Sequence, residues 1–110
     1  MTYTIQAKDE ASTTLASAPA ETVEILEGNW YFDRAAVQME HLVVTERTYT
    51  CPYKGVCYWI DLELPGLNSR NIAWVYENPK PGYEMIAGRI AFYARETSAT
   101  RPVQAAREAK

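Results

Sequence analysis

The sequence predicts a mainly β fold: a small antiparallel β barrel or sandwich of about six or seven strands, with one short helix near the C-terminal end. Three observations support this prediction. Apolar and polar residues alternate with a period of two along several short stretches, which is typical of strands with one buried face. These stretches hold most of the eight tyrosines and three tryptophans, residues that suit a pleated surface. Turn signals that contain glycine or proline separate the stretches.

The first third of the chain predicts one strand, one loop and one hairpin. Residues 2–7 alternate well enough for a short strand. Residues 8–21 are rich in Ala, Ser, Thr and Glu, a composition typical of a loop. The turn signal Glu27-Gly28-Asn29 lies between two apolar segments, so residues 22–33 predict a β-hairpin.

The middle of the chain predicts the longest strand. Residues 33–36 fit one helical turn, and residues 37–44 fit either a strand or a helix, with a strand favoured by the β-branched residues that follow. Residues 45–51 form an extended segment, and residues 52–55 form a turn because Pro52 cannot donate to a ladder and the glycine tolerates positive φ. The apolar face predicted for the next strand consists of Val56, Tyr58, Ile60, Leu62 and Leu64.

The last third predicts a second hairpin, a helix and a final strand. Residues 65–69 form a loop that joins the central strand to a strand over 70–76, in an antiparallel hairpin. That strand is predicted to carry Ile72, Trp74 and Tyr76 on one face. Residues 82–87 fit a short helix that ends at Gly88, and residues 90–93 fit a last strand.

Length and composition predict one soluble domain. With 110 residues, 47% of them hydrophobic and 23% charged, we expect a single β-rich domain over residues 1–94. The tail over 95–110 is expected to be flexible, with a helical turn at 103–109. No apolar run approaches the roughly 20 residues that cross a bilayer, and the first residues lack the regions of a secretory signal. We therefore expect a cytoplasmic protein with no membrane partner.

Charge and cysteine spacing exclude two classes of partner. Residues 1–46 carry two basic and eight acidic residues, a net charge of −6, whereas residues 47–110 carry nine and six, a net charge of +3. The second half could attract an anion, but it is too weakly basic to predict nucleic-acid binding. Cys51, Cys57 and His41 lack both the spacing and the number of ligands of a zinc site, so we expect no metal and no cofactor.

Five motifs together carry a family resemblance. They are Tyr31-Phe32, V-Q-M-E-H-L at 37–42, R-T-Y-T-C-P-Y-K-G at 47–55, A-W-V-Y-E-N-P at 73–79 and I-A-G-R-I-A-F-Y at 86–93. In this order and spacing they resemble the bacterial family called domain of unknown function 427, also labelled nucleotidyltransferase-like, over residues 20–94. The resemblance implies a small β-rich fold and no established activity. The family usually has Pro and acidic residues where this chain has Asp33 to Ala36, a departure that would alter any function resting on those residues.

The leading candidate site is an aromatic pocket with two cations. Its predicted ligand-binding residues are Arg47, Tyr53, Lys54, Trp74, Tyr76 and Tyr93. A guanidinium fork suits a carboxylate or phosphate, and an indole or phenol ring can stack on a ring or a cation. The alternative is structural: the aromatic rings fill the core, Arg47 pairs with Glu40 or Glu77, and Lys54 is a solvated turn lysine.

Two weaker candidates are catalytic. Asp61 and Glu63 have the spacing of the magnesium-binding carboxylates of nucleotidyltransferases, but no Gly-Ser turn precedes them and a solvated strand edge explains them as well. Cys51 could be a reactive thiolate because Lys54 follows three residues later, with His41 as the only imidazole. A buried, inert cysteine is the structural alternative.

The expected function is therefore the binding of a small, anionic ligand by a β domain with little or no catalytic activity. A transferase-type or thiol-dependent enzyme and a protein-interaction module are the alternatives, and the residues leave open whether the chain is an enzyme. The ligand and the oligomeric state do not follow from the sequence.

Overall fold

A computed structural model describes residues 1–106, which form nine β-strands in two antiparallel sheets. The strands are β1 (Thr2–Ala7), β2 (Thr14–Pro19), β3 (Glu24–Leu26), β4 (Asn29–Phe32), β5 (Leu42–Cys51), β6 (Gly55–Leu64), β7 (Leu67–Val75), β8 (Ile90–Tyr93) and β9 (Thr100–Ala105). The larger sheet has the order β3-β4-β8-β7-β6-β5 and the smaller one β2-β1-β9. Both orders are open at their ends, so the mainly β prediction is confirmed in its sandwich form rather than as a barrel.

The main core lies between the two sheets. Ile5 and Leu15 of the small sheet are fully buried in one cluster with Phe32, Ile60 and Phe92 of the large sheet. Their aliphatic and aromatic side chains point inward because alternate residues of each strand face the same side. The three-stranded sheet therefore covers one face of the six-stranded sheet.

The opposite face of the six-stranded sheet carries the remaining residues of the same strands. Tyr31, Cys57, Trp74 and Ala91 form a second buried cluster, and each is a sequence neighbour or near neighbour of a residue in the main core. This second face also holds Cys51, Trp74 and Tyr76, which are among the candidate site residues predicted from the sequence.

The strand β6 keeps its predicted alternation, but its apolar face is only partly covered. Ile60 and Leu62 are fully buried in the main core, whereas Val56 and Tyr58 on the same face are 42% and 37% exposed. The first half of the strand extends beyond the part that the core covers. The predicted apolar face is therefore buried at Ile60, Leu62 and Leu64 and partly exposed at Val56 and Tyr58.

Two interruptions of strand register lie side by side. The pairing of β5 with β6 shifts between Val44 and Thr48, and that of β6 with β7 shifts between Ile60 and Leu62. Asn71, at the second interruption, has a φ of 58°. Such irregularities bend a sheet and change which side chains share a face. Accordingly, Ile72 packs in the main core while Trp74 and Tyr76 lie in the second cluster, which corrects the prediction that all three share one face.

Several predicted elements differ from the structure. The hairpin over 22–33 is confirmed as β3 and β4, but the loop expected over 8–21 contains β2, which pairs with β1. The strand expected to start at residue 37 starts at Leu42, after a short 3-10 turn at Met39–His41. The six or seven strands expected are nine because β2 and β9 form with β1 a second sheet that weak local patterning did not reveal.

The helical segments of residues 1–106 are all three-residue 3-10 turns. The helical turn expected over 33–36 is present at Arg34–Ala36, whereas the helix expected over 82–87 is reduced to a turn at Glu84–Ile86. A helical turn was expected at 103–109, but residues 103–105 belong to β9, which pairs with β1. The part of that prediction beyond residue 106 lies outside the described residues. In the described part of the chain, no helix has the length and hydrophobicity to cross a bilayer.

Candidate functional site

The second face of the six-stranded sheet opens into a cavity of about 470 Å³, which we call the aromatic hollow. It is lined by Glu27, Asn29, Tyr31, Tyr49, Cys51, Pro52, Tyr53, Lys54, Cys57, Trp59, Trp74, Tyr76 and Tyr93. Aromatic rings make up about half of this lining, and one cation, one carboxylate and two thiols supply its ionisable groups other than phenols. A concave site with few polar groups is the form in which proteins hold small molecules.

Trp74 lies at the centre of the floor. The strand register places Tyr31, Ala91, Trp74 and Trp59 in one row across β4, β8, β7 and β6. Because the side chain of Ala91 is small, the rings on either side of it meet: the Trp74 Nε1–H donates to the Tyr31 hydroxyl over 3.2 Å. The ring centroids of Trp74 and Tyr93 lie 4.8 Å apart, and those of Trp74 and Trp59 lie 6.0 Å apart. The floor is therefore held by ring contacts and one hydrogen bond.

Lys54 is buried at the side of the aromatic hollow rather than solvated. It is 5% exposed, and its Nζ donates to the Glu27 carboxylate over 2.6 Å. The same Nζ lies 5.9 Å from the centroid of the Tyr76 ring, within the range of a cation–π contact. The backbone holds the turn in place, since the Lys54 carbonyl accepts the amide N–H of Lys80 over 2.9 Å.

The charge of Lys54 is maintained by its partners. Burial lowers the pKa of its ammonium group, but the hydrogen bond to Glu27 and the interaction with the Cys51 sulfur outweigh burial, so the net pKa is raised above its ordinary value. Glu27 is brought there by the turn between β3 and β4, where Glu27 and Gly28 both have positive φ. Its side chain remains 56% exposed, so the ion pair is buried only on the lysine side.

The two cysteines of the aromatic hollow differ in their surroundings. The backbone N–H of Lys54 donates to the Cys51 sulfur over 3.4 Å. Burial raises the pKa of the Cys51 thiol, but the backbone N–H groups of Lys54 and Tyr53 and the Lys54 ammonium outweigh burial, and the net pKa is lowered. Burial raises the pKa of Cys57, which lies beside the Tyr76 hydroxyl. Cys51 is therefore the thiol that ionises more readily.

The phenols of the floor remain protonated. Burial is the main cause that raises the pKa of Tyr31, even though the hydrogen bond from Trp74 lowers it. Burial also raises the pKa of Tyr76 far above its ordinary value. At neutral pH both hydroxyl groups are therefore available as hydrogen-bond donors.

Arg47 does not line the aromatic hollow, contrary to the expectation that it shares a pocket with Trp74. Its guanidinium donates to the Asp61 carboxylate and, over 2.9 Å, to the side-chain oxygen of Asn71. The Asp61 carboxylate also accepts the backbone N–H of Asn71 over 2.9 Å. The two neighbouring register shifts bring these groups together, so Arg47 stabilises the bend in the sheet. The partners of Arg47 are therefore Asp61 and Asn71, rather than Glu40 or Glu77 as the structural alternative expected.

The carboxylate and histidine candidates also lie away from the aromatic hollow. Asp61 accepts hydrogen bonds from Arg47 and Asn71, and Glu63 lies with Asp61 in a separate depression. The Nε2 of His41 lies 3.9 Å from the Oε2 of Glu40, and His41 lines another surface depression. Among residues 1–106, no group of three or more His, Cys, Asp or Glu side chains is arranged to hold a metal ion.

The structure thus brings together five of the six predicted ligand-binding residues and adds others. Tyr53, Lys54, Trp74, Tyr76 and Tyr93 all line the aromatic hollow. The residues that sequence reasoning did not assign to the site include Glu27, Tyr31, Tyr49, Cys57 and Trp59. The sequence could have identified three of these residues, because strand alternation places them on the same face of the paired strands β5 and β6 as Cys51: Tyr49, Cys57 and Trp59. Glu27 carries no such signal, since it lies in a turn 27 residues before its partner.

Comparison with known proteins gives one family. The family model described as a domain of unknown function (DUF427) matches residues 10–103, which includes and extends the range of the resemblance seen in the motifs. No curated protein matches the chain.

Proposed function

The chain belongs to the DUF427 family, whose description assigns no activity, and we propose that it binds a small molecule with a flat aromatic or heteroaromatic ring in the aromatic hollow. The observation that carries this proposal is the group of rings around Trp74, which faces a cavity of about 470 Å³. That volume suits a small organic ligand rather than a macromolecule.

Ring stacking supplies the attraction. Trp59 and Tyr93 are half-buried and flank Trp74, so each has part of its ring surface directed to the cavity. An aromatic pair contributes about 0.5–1.5 kcal/mol beyond the area that it buries. Two or three such contacts favour a planar ligand over an aliphatic one of the same size.

The polar groups favour a neutral edge on that ring. An anionic ligand was expected from two cations, but Arg47 lies outside the cavity and Lys54 is paired with Glu27. The pair presents ammonium donors beside carboxylate acceptors, and the Tyr76 hydroxyl adds a further polar group. An amide or a ring nitrogen beside a carbonyl matches this combination better than a carboxylate or phosphate does.

A panel of ring-bearing compounds and their saturated analogues, screened by thermal shift and tryptophan fluorescence, tests the proposal. A ligand at a hundred times its dissociation constant stabilises the fold by about 2.7 kcal/mol, which moves the melting midpoint by several degrees. We expect shifts with the planar compounds only.

Two substitutions on β6 form a matched pair for this screen. Trp59→Leu removes a ring from the aromatic hollow, whereas Tyr58→Leu removes a ring from the other face of the same strand. We expect Trp59→Leu to weaken binding about tenfold and Tyr58→Leu to leave it unchanged. Equal shifts with saturated analogues, or undiminished binding to Trp59→Leu, would overturn the proposal.

A further inference from the structure

The thiol of Cys51 lies in the aromatic hollow within a cluster of groups that favour negative charge. Its sulfur accepts the backbone N–H of Lys54 over 3.4 Å, at the turn that follows β5. The buried Lys54 ammonium, which is paired with Glu27, belongs to the same cavity wall and still favours the Cys51 thiolate. A backbone amide at a turn, together with a nearby cation, forms an anion-binding arrangement, and here the anion is the thiolate itself.

We propose that Cys51 is a nucleophile that accepts an acyl group from an activated ester or thioester whose planar ring lies in the aromatic hollow. This inference rests on the proposed function, because ring binding places the reactive carbonyl beside the sulfur. It adds a reaction and a substrate class to that function.

The position of the donors favours a carbonyl over other electrophiles. When a thiolate attacks a carbonyl carbon, the negative charge moves from sulfur to the carbonyl oxygen, two bonds away. In the proposed geometry this oxygen lies beside the Lys54 N–H that donates to the sulfur, on the cavity wall that holds the Lys54 ammonium, so both groups would stabilise it. Attack on a saturated carbon creates no such oxyanion and would gain nothing from these groups.

The bonds balance without any further reactant. The Cys51 thiol first loses its proton to solvent. The Sγ–C bond then forms as the carbonyl π electrons move to oxygen, and they return as the bond from the carbonyl carbon to the leaving oxygen or sulfur breaks. The leaving group departs with that electron pair, and the product is an S-acyl cysteine at position 51. Lys54 acts by charge and position and needs to transfer no proton.

Cys57 provides an internal comparison within the same cavity. It lies beside the Tyr76 hydroxyl, and it occupies the middle of the β5–β6 pairing rather than a turn. A reaction that requires the turn amides and the ammonium should therefore acylate Cys51 and leave Cys57 unmodified. Cys57 is also the less exposed thiol, at 1% against 7% for Cys51, so the site of acylation does not by itself separate charge from access, and the Lys54 variant below does so.

The probe is p-nitrophenyl acetate, which combines a planar ring with an activated ester and releases coloured p-nitrophenolate. With the full chain and with both cysteines unblocked, we expect a burst of one equivalent of nitrophenolate per chain. We also expect one acetyl group, which peptide mapping places on Cys51. Cys51→Ser should abolish the burst. An acetyl group found mainly on Cys57, on lysines or on the N-terminus would overturn the proposal.

The role of the ammonium is tested with two lysines that each pair with a glutamate. Lys54→Met removes the cation beside Cys51. Lys8→Met instead breaks an ion pair outside the aromatic hollow, in which the Nζ of Lys8 lies 2.7 Å from the Oε2 of Glu96. We expect the burst to slow by about tenfold or more in Lys54→Met and to keep its rate in Lys8→Met. Equal rates in the two variants would overturn the role of Lys54.

The Cys51→Ser variant separates this inference from the proposed function. If planar compounds still shift its melting midpoint while the wild-type chain takes up no acetyl group, the proposal of ring binding is supported and that of acyl transfer to Cys51 is rejected. If planar compounds bind neither chain, both the proposed function and the substrate class derived from it fall.

Discussion

The Nζ of Lys54 lies 2.6 Å from Oε1 of Glu27 although the two residues belong to hairpins at opposite edges of the six-stranded sheet. Glu27 lies in the turn between β3 and β4, and Lys54 lies in the turn between β5 and β6. For outermost strands to approach in this way, the sheet must be strongly twisted and curled. The ion pair therefore joins the edges of the sheet across the aromatic hollow.

The first prediction concerns the stability of this ion pair. Glu27→Gln leaves the buried ammonium without a carboxylate, and we expect the free energy of unfolding to fall by about 1–2 kcal/mol, less than for a fully buried pair because Glu27 is half exposed. Urea denaturation measures the loss. In the double variant with Lys54→Met we expect less than the sum of the two single losses. Strict additivity would show that the two side chains are not coupled.

The second prediction concerns the pH dependence of the two thiols. Because the net pKa of Cys51 is lowered and that of Cys57 is raised, Cys51 has the larger thiolate fraction at any pH between the two. Alkylation by iodoacetamide should therefore reach half its maximal rate at a lower pH for Cys51 than for Cys57. Rates for each cysteine follow from peptide mapping of quenched samples.

The groups that face these thiols provide the control for the second prediction. The Cys51 sulfur faces the Lys54 ammonium, which is itself paired with Glu27, and Cys57 faces the Tyr76 hydroxyl. Lys54→Met should move the profile of Cys51 toward higher pH, because the cation that favours the thiolate is removed. Coincident profiles for the two cysteines of the wild-type chain would contradict the prediction.

The third prediction concerns the floor of the aromatic hollow. Tyr31→Phe removes the oxygen that accepts the Trp74 indole N–H. Since Trp74 is 6% exposed, its N–H would lose a partner where little water can replace it, and we expect a loss of about 1–2 kcal/mol in the free energy of unfolding. Tyr3→Phe is the control, because Tyr3 contacts Trp30 by ring stacking, which the substitution keeps. A loss no greater than that of the control would show that the indole hydrogen bond is not stabilising.

The fourth prediction separates Arg47 from ligand binding. Arg47→Met removes the contacts with Asp61 and Asn71 that hold the bent part of the sheet, and we expect a loss of about 1–2 kcal/mol in the free energy of unfolding. Binding of a ring-bearing ligand should stay within about twofold of the wild-type value. Arg70→Met, at an exposed arginine two strands away on β7, should change stability by no more than about 0.5 kcal/mol. A selective loss of ligand binding in Arg47→Met would restore the arginine to the site.

Local patterning was enough to predict much of the fold. The period of two identified the strands around Trp74 and Cys57, and the Glu27-Gly28-Asn29 signal identified the β3–β4 hairpin. It also placed Trp74 and Tyr76 on a common face, and both line the aromatic hollow. These features depend on residues that are close in the sequence.

The errors come from interactions that local patterning does not encode. Alternation predicts that Arg47 faces the same way as Tyr49, but it assumes an unbroken register, and the shift between Val44 and Thr48 breaks it. The burial of Lys54 depends on a carboxylate 27 residues earlier in the chain. Without that partner a lysine would be expected to remain in solvent, which is the alternative that residue type alone favours for Lys54.

The six-stranded sheet uses neighbouring positions of the same strand for different purposes. On β4, Trp30 and Phe32 pack in the main core, while Tyr31 between them lines the aromatic hollow; on β8, Phe92 and Tyr93 divide in the same way. The exposed or half-buried members of the aromatic hollow, Tyr49, Tyr53, Trp59 and Tyr93, can therefore be randomised as one set without changing a residue of the main core. A combinatorial library restricted to that set could redirect ligand preference on an intact scaffold, which makes this small domain a practical starting point for engineered receptors.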